Sequence, residues 1–231
     1  QPRSRGLGDV YKRQVSPWRR RPEKIRPVAL QTNGVYWWFT MPLPRFERLP
    51  EERRDALLGV AQRHLAQHGR AEASYNQIIA EAGLSKTSAY LYFDGREDLV
   101  RAVVAAVGAR LEAVLGAWCP VTTEVEWWAQ LAAQSAALRA HLATHADDLA
   151  IVASMEPDEW PQAQAWLDTM LENGRVVGVV RRDVPAHVMT AVTRAVLATL
   201  DGFAVEALRA AEPVDEALGR ALLEGLWRGT A

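Results

Sequence analysis

Residues 74–93, SYNQIIAEAGLSKTSAYLYF, contain the feature that most restricts the fold: two short helices separated by a glycine. Ser74 and Gln77 have the S-x-x-Q spacing of a capping box, which predicts that a helix begins there. Gly83 is placed to end that helix, and Ser85 is placed to cap the next one. Because helices this short are not stable alone in water, the segment must pack against a longer helix.

The rest of the chain after residue 40 also has helical periodicity. Apolar residues recur at intervals of three and four, and proline or acidic residues mark the predicted helix starts. The further predicted helices cover about residues 50–69, 96–118, 124–145, 147–155, 158–173, 185–210 and 214–228, with an irregular segment from 173 to 185. The run VVGVV is too short and isolated to form a sheet. The sequence therefore predicts an all-α protein with a helix-turn-helix near its start.

The helix that follows Ser85 can bury only one of its sides. Ala89 and Phe93 supply its apolar residues, and Leu84 fills the angle between the two short helices. The other side then carries an amine, hydroxyls and phenols: Lys86, Thr87, Ser88, Tyr90 and Tyr92. Donor groups and flat aromatic rings on such a helix suit a DNA groove, where they reach base edges and phosphates.

Residues 50–100 resemble the N-terminal domain of the TetR/AcrR (tetracycline-repressor) family of transcriptional regulators. The strongest part of the resemblance is the motif A-G-x-S-x-x-x-x-Y-x-Y-F at residues 82–93. Further positions match the family pattern at Leu57, Leu58, Ala61, Gly69, Ser74, Ile78 and Leu99. The sequence departs from that pattern at Leu65 (usually Phe), Ile79 (usually Ala), Thr87 (usually Gly), Ala89 (usually Leu) and Arg96 (usually Lys). Since Thr87 is on the predicted DNA-facing side, its change concerns the operator sequence rather than the mode of binding.

The resemblance implies a role for each polar residue of this segment. Lys86 and Thr87 are expected to contact base edges. Phosphate contacts are expected from Ser88, Tyr90, Tyr92 and Arg96, with Ser74, Tyr75 and Ser85 on the same surface. Two alternatives remain open: Ser74 and Ser85 can serve as helix caps, and Tyr90 and Tyr92 can be partly core aromatics.

The resemblance also implies a division of the chain. Residues 41–95 form the three-helix helix-turn-helix DNA-binding domain, 96–118 a connecting helix, and 119–231 a helical ligand-binding and dimerisation domain. The last two predicted helices carry small and aliphatic stripes: Val188, Val192, Ala195 and Thr199 on one, Leu218, Leu222 and Leu226 on the other. In the family this pair forms a four-helix bundle with its twin, so we expect a homodimer on a pseudo-palindromic operator in double-stranded DNA.

Large apolar side chains of the second half are candidates for a small-molecule site. Trp118, Trp127, Trp128, Met155, Trp160, Trp166 and Met170 are expected near the central helices, where they could line a cavity for an apolar or aromatic effector. The alternative is that they simply form a core. His141 and His145 are four residues apart, with Asp148 close behind, a spacing that could supply part of a metal site. A third ligand at convincing spacing is missing. We therefore expect no metal and no cofactor.

The first forty residues are predicted not to belong to the protein. Residues 4–14, SRGLGDVYKRQ, match codon by codon the translation of a sequencing-library transposon adapter, and Met41 opens a normal protein start. The alternative is an arginine-rich arm that lies on nucleic acid. These forty residues carry nine Lys and Arg against two Asp and Glu, a net charge of +7.

Composition excludes several other classes of protein. One cysteine, Cys119, allows no internal disulfide, and no stretch approaches the roughly 20 uninterrupted apolar residues of a membrane-spanning helix, so a cytoplasmic protein is expected. Residues 41–115 are neutral, with ten basic and ten acidic residues, whereas 116–231 carry eight against sixteen, or −8. No paired carboxylates, catalytic triad or phosphate loop indicate an enzyme. The sequence thus predicts a DNA-binding repressor released by a small molecule; the alternative is a helical small-molecule-binding or scaffold protein with a non-functional DNA head.

Overall fold

The computed structural model describes residues 42–155 and 163–229, which belong to one compact unit spanning 40–231. The described residues form ten helices and no strand. They are α1 (Pro44–Glu47), α2 (Glu51–Glu72), α3 (Tyr75–Glu81), α4 (Lys86–Tyr92), α5 (Arg96–Leu115), α6 (Glu124–Thr144), α7 (Ala146–Val152), α8 (Ala163–Val177), α9 (Ala186–Ala210) and α10 (Glu216–Arg228). The all-α prediction is confirmed.

Local sequence signals account for most helix boundaries. Ser74 Oγ accepts a hydrogen bond from the backbone N–H of Gln77 (3.4 Å), which caps α3. Gly83, between α3 and α4, has φ +68°, a left-handed conformation in which a side chain is strained. Thr123 and Glu126 form a reciprocal capping box at the start of α6.

Several boundaries differ from the sequence prediction; α7, for example, ends at Val152 rather than at about residue 155. Gly69 has non-helical angles (φ 78°, ψ 161°), yet one helical turn follows it before α2 ends. Helix α5 ends at Leu115, three residues early, because Gly116 adopts a positive φ of 69°. Helix α8 continues to Val177 through residues expected to be irregular.

A first apolar core joins α1–α5 to α7 and to single residues of α6 and α9. Phe93 lies at its centre, and the ring of Phe46 in α1 packs on it with a centroid distance of 4.9 Å. Leu149 and Ile151 of α7 belong to this same core. The first core therefore extends past α5 into α7.

A second core is rich in tryptophan. Trp118, Trp127, Trp128 and Trp227 are buried and pack ring to ring at centroid distances of 5.1–5.7 Å. Gly174 of α8 allows this packing, because a Cβ there would lie 3.3 Å from the Trp127 ring. The tryptophans therefore hold α6, α8, α9 and α10 together.

Helices α9 and α10 leave apolar side chains uncovered. Val188, Val192, Phe203, Leu218 and Leu222 are 40–64% exposed. Within the described residues, α9 is the one helix long and apolar enough to span a membrane by length and composition, and only 17% of the tested stretch is buried. The same length and composition suit a helix that packs in a bundle between subunits.

Candidate nucleic-acid interface

Helices α3 and α4 form the predicted helix-turn-helix, with the apolar residues inside. Ile78, Ile79, Ala89 and Phe93 are each 0–3% exposed. Leu84, in the turn, is half-buried against the first core. This packing fixes which side of α4 faces outward.

The outward side of α4 carries the residues expected to meet base edges. Lys86 and Thr87 are exposed, and Tyr90 is 61% exposed. Lys86 is also the only lysine among residues 41–231, where every other basic side chain except histidine is arginine. The structure thus presents an amine, a hydroxyl and a phenol together on one short helix.

Leu91 also lies on this side, and the sequence reasoning missed it. It is 40% exposed. A helix turns about 100° per residue, so Leu91 lies about 200° from the buried Ala89, and Thr87 lies about 200° away in the other sense. Counting from Ala89 along the sequence would have placed Thr87 and Leu91 at the centre of the outward face.

The serines of the site act as caps. Ser85 Oγ accepts a hydrogen bond from the backbone N–H of Ser88 (3.1 Å), and the two serine hydroxyls lie 2.9 Å apart. Ser74 caps α3 in the same way. Both alternatives named for Ser74 and Ser85 stay compatible with this geometry, since a capping hydroxyl retains hydrogen-bonding capacity.

The three tyrosines have different surroundings. The rings of Tyr75 and Tyr90 lie 6.3 Å apart, which brings the start of α3 next to the outward side of α4. The buried hydroxyl of Tyr75 has no hydrogen-bond partner among the described residues, and burial followed by the proximity of Tyr90 and Asp98 raises its pKa. Tyr92 is half-buried and packs edge-on against Phe46 at 6.5 Å, which agrees with the core alternative for this residue.

Arg96 is held by the protein itself. Its Nε donates a hydrogen bond to the Ala73 carbonyl oxygen (3.1 Å), and its Nη1 lies 2.8 Å from Oε1 of Glu97. The guanidinium thereby joins the start of α5 to the backbone just before α3. Its geometry favours a positioning role for this arginine beside the expected phosphate contact.

The expected effector residues are divided among three places. Trp118, Trp127, Trp128 and Met170 are buried in the second core, and Trp166 is half-buried beside it. Met155 packs against the first core instead, so the expected single cluster does not include it. Trp160 lies outside the described residues.

A cleft of about 490 Å³ opens beside two of these tryptophans. Trp118 and Trp166 line it together with the C-terminal turns of α5 and with α8, and Glu112 is its one ionisable lining residue. Gln134 orients this region: its Nε2 donates to the Leu115 carbonyl oxygen (2.9 Å) and its Oε1 accepts from Trp166 Nε1 (3.2 Å). The cleft is half open to solvent.

The His141, His145 and Asp148 side chains do not form a metal site. Among the described residues no three histidine, cysteine, aspartate or glutamate side chains converge as ligands. His141 instead lies with its Nε2 2.7 Å from Asp148 Oδ2, and its ring stacks on that of His145 at 3.9 Å.

Fold and site together define a DNA-binding protein of the helix-turn-helix class, built entirely of helices where the structure describes it. The sequence model of "Bacterial regulatory proteins, tetR family" matches residues 57–103, from the first half of α2 to the first half of α5. This similarity to the tetR family of regulatory proteins covers 47 of the 231 residues. The similarity to a family of regulators agrees with the expectation that the chain is not an enzyme.

Solved structures have the same fold over most of the chain. A TetR family transcriptional regulator from Chloroflexus aurantiacus J-10-FL is 22% identical, with a TM-score of 0.50, and the match covers 82% of this chain and 98% of that one. The fatty acid degradation regulator FadR from Bacillus halodurans is 16% identical, with a TM-score of 0.55, and the match covers 77% and 99%. No curated protein sequence matches the chain significantly.

Proposed function

We propose that the protein is a homodimeric, cytoplasmic repressor that binds a pseudo-palindromic operator through α3 and α4 and leaves it when a small molecule binds. The observation that carries this proposal is the outward side of α4, where Lys86, Thr87 and Tyr90 are exposed above a buried Ala89 and Phe93. A short helix with its donors exposed in this way fits the major groove. The domain division follows the sequence: residues 41–95 bind DNA, 96–118 connect, and 119–231 bind effector and partner.

Different residues of α4 contact different parts of the DNA. Lys86 and Thr87 contact base edges, and Leu91 contacts the methyl group of a thymine, because apolar side chains in the major groove recognise that group. Ser88 and Tyr90 contact phosphates on either side. Since residues 41–115 have no net charge, these few contacts supply most of the affinity.

Residues next to α4 contact the DNA backbone or hold α4 in position. Ser74 and Tyr75 approach the DNA backbone from the start of α3, where the Tyr75 ring lies beside that of Tyr90. Ser85 caps α4, and Tyr92 anchors it on Phe46. Arg96 fixes the backbone before α3 through the Ala73 carbonyl. Because its Nη2 is buried, a phosphate contact would use Nη1 after that group leaves Glu97.

A second copy of the chain covers the exposed faces of α9 and α10. Val192, Phe203, Leu218 and Leu222 are apolar and 41–64% exposed, an arrangement that a monomer in water disfavours. Two-fold pairing of these helices makes a four-helix bundle and presents two copies of α4 to one face of DNA, about one helical turn apart. The −8 charge of residues 116–231 keeps that half away from the phosphates.

The effector site is the cleft beside Trp118 and Trp166, which fits an apolar or aromatic molecule. The cleft contacts the C-terminal turns of α5, and the N-terminal end of the same helix begins directly after the DNA-reading segment. A ligand that favours a tilted α5 therefore shifts the population toward dimers whose α4 helices no longer match the groove spacing.

Lysine footprinting tests the proposal with the full chain. An amine-specific acylating reagent modifies Lys12, Lys24 and Lys86, and peptide mass spectrometry quantifies each one separately. Operator duplex, identified by footprinting near the protein's own gene, is expected to protect Lys86 at least fivefold, because the amine is then covered by the groove. Lys86→Ala and Tyr90→Ala are expected to lose binding in a gel shift.

The outcomes separate the two functions considered from the sequence. Protection of Lys86 by operator and not by an unrelated duplex supports specific binding through α4. Equal acylation of Lys86 with and without every duplex tested, together with a normal fold, indicates a protein whose DNA head is not functional.

A further inference from the structure

Asp148 of α7 is a buried carboxylate held by three other helices. It is 3% exposed. Its Oδ1 accepts hydrogen bonds from Gln62 Nε2 of α2 and Arg110 Nη2 of α5, each at 2.6 Å, and its Oδ2 accepts from His141 Nε2 of α6 at 2.7 Å. The side chain therefore joins α7 to α2, α5 and α6 through hydrogen bonds.

Gln62 and Arg110 close this group of contacts into a ring. Arg110 Nη2 also donates to Gln62 Oε1 at 2.6 Å, so the Gln62 amide is held at both of its ends. Arg110 Nε lies 3.4 Å from Asp148 Oδ2, so Arg110 binds both carboxylate oxygens and the ion pair is bidentate. Rotating or sliding Asp148, Gln62 or Arg110 breaks more than one hydrogen bond, and His141 contributes one further bond.

The charged groups around Asp148 favour its ionised form. Burial by itself would raise the pKa of Asp148, but the hydrogen bonds from Arg110, His141 and Gln62 outweigh it and hold that pKa below its ordinary value. His145, stacked on His141, is the remaining titratable neighbour of this group.

Helix α7 contacts α2 at a second polar point. Arg70 Nη1, in the last turn of α2, donates to the Ser154 carbonyl oxygen just after α7 at 2.8 Å. Between the two polar points, Leu149 and Ile151 belong to the same apolar core as the buried residues of α2. Helix α7 therefore contacts α2 along its whole length.

Helix α2 in turn holds α3. His64 Nε2 lies 2.6 Å from Oε2 of Glu81, at the end of α3, and Arg63 forms a second ion pair with the same carboxylate at 3.7 Å. Displacement of α2 therefore displaces α3, and with it α4, which follows after one tight turn at Gly83.

We propose that Asp148 is a positioning residue for DNA binding, one that fixes the DNA-reading helices relative to the dimerising half by holding Gln62 of α2. This inference rests on the proposed function. An apolar contact between α2 and α7 would tolerate small shifts, whereas a buried carboxylate with several donors is satisfied in one register only. Asp148 thereby sets the distance and rotation between the two copies of α4 in the dimer.

The spacing between operator half-sites is the quantity that measures this positioning. One inserted base pair moves a half-site by about 3.4 Å and rotates it by about 34°. Binding of the full-length wild type is compared on the operator and on versions with one central base pair added or removed. We expect the wild type to prefer the native spacing by about tenfold or more, equivalent to about 1.4 kcal/mol.

Gln62→Met is the decisive variant, because it removes the link to α2 with little change of volume and leaves Arg110 and His141 on Asp148. We expect its preference among the spacings to fall below threefold. Asp148→Asn is expected to behave in the same way where it folds. Asp183→Asn is the matched control, since Asp183 is an exposed carboxylate paired with Arg181 (2.7 Å from Nε to Oδ1) and has no contact with α2.

The result separates positioning from stability. A merely structural role lowers the unfolding temperature and the active fraction but leaves the ratio of affinities for the three spacings at the wild-type value. A folded, dimeric Gln62→Met with the wild-type ratio overturns the inference even when Asp148→Asn does not fold. Failure of the wild type to bind any operator overturns the proposed function instead, and the positioning role with it.

Discussion

Replacing one thymine of the operator by uracil removes a single methyl group from the major groove and tests whether Leu91 contacts it. Leu91 is 40% exposed on the side of α4 opposite Ala89, so its side chain is free to cover a methyl group. Burial of one such group contributes about 0.8 kcal/mol, which corresponds to about fourfold in affinity. A symmetric operator has two such contacts, so the double replacement is expected to weaken binding about fifteenfold.

The assay is a competition titration in which each thymine of the operator is replaced by uracil in turn, symmetrically in both half-sites. One position is expected to show the loss for the wild type. The same position is expected to be insensitive for Leu91→Ala, because the shorter side chain does not reach the methyl group. Val176→Ala is the control variant, since Val176 is an apolar residue, 66% exposed, on the distant helix α8.

Two results would refute this reasoning. A wild type that binds every uracil operator as tightly as the thymine operator does not read a methyl group at all. A uracil effect of unchanged size in Leu91→Ala assigns the contact to another residue. If Leu91→Ala binds all duplexes more weakly but still discriminates between uracil and thymine as the wild type does, the methyl contact is likewise assigned to another residue.

Three further predictions follow from burial. Tyr90→Ala is expected to lower operator affinity about tenfold at unchanged unfolding temperature, because its phenol contacts a phosphate. Tyr92→Ala is expected to lower the free energy of unfolding, measured in urea, by about 2 kcal/mol, because this ring packs against Phe46. The prediction fails if the two variants exchange these effects. Gly174→Ala is expected to be destabilising, since its Cβ would lie 2.6 Å from Val180 Cγ2. The overpacking costs about 1–3 kcal/mol, against a gain in helix propensity of about 1 kcal/mol. A higher stability of this variant in calorimetry contradicts the prediction. Leu222→Glu is expected to leave a folded monomer in sedimentation, because Leu222 is 49% exposed, and an unchanged dimer refutes the proposed interface.

The amino-acid sequence was sufficient for the features that depend on near neighbours. The caps at Ser74 and Ser85, the turn at Gly83 and the inward direction of Ala89 and Phe93 were all predicted, and the structure has them. Each involves residues within four positions of one another, where the backbone geometry of a helix decides which groups meet.

Contacts between distant residues were not predictable in the same way. Met155 was expected in one cluster with the tryptophans, whereas the structure places it in the first core. The hydrogen bond from Arg96 to the Ala73 carbonyl was not expected. Leu218 and Leu222 of the predicted stripe are exposed, whereas Leu226 is half-buried against the second core. The inward residues of α10, Leu223 and Trp227, were not identified. Which of two adjacent stripes is buried depends on the helices that pack there.

The sequence by itself determined the helical architecture, the helix-turn-helix and the side of α4 that faces outward, because helix caps, glycine turns and apolar periodicity act over a few residues. Only the tertiary structure decided that Asp148 meets Gln62, 86 residues away, and Arg110, 38 residues away. Read alone, Asp148 is one acidic residue beside two histidines. Its significance comes from being buried between four helices, and burial is a property of how those helices pack, which the order of residues along any one helix does not specify.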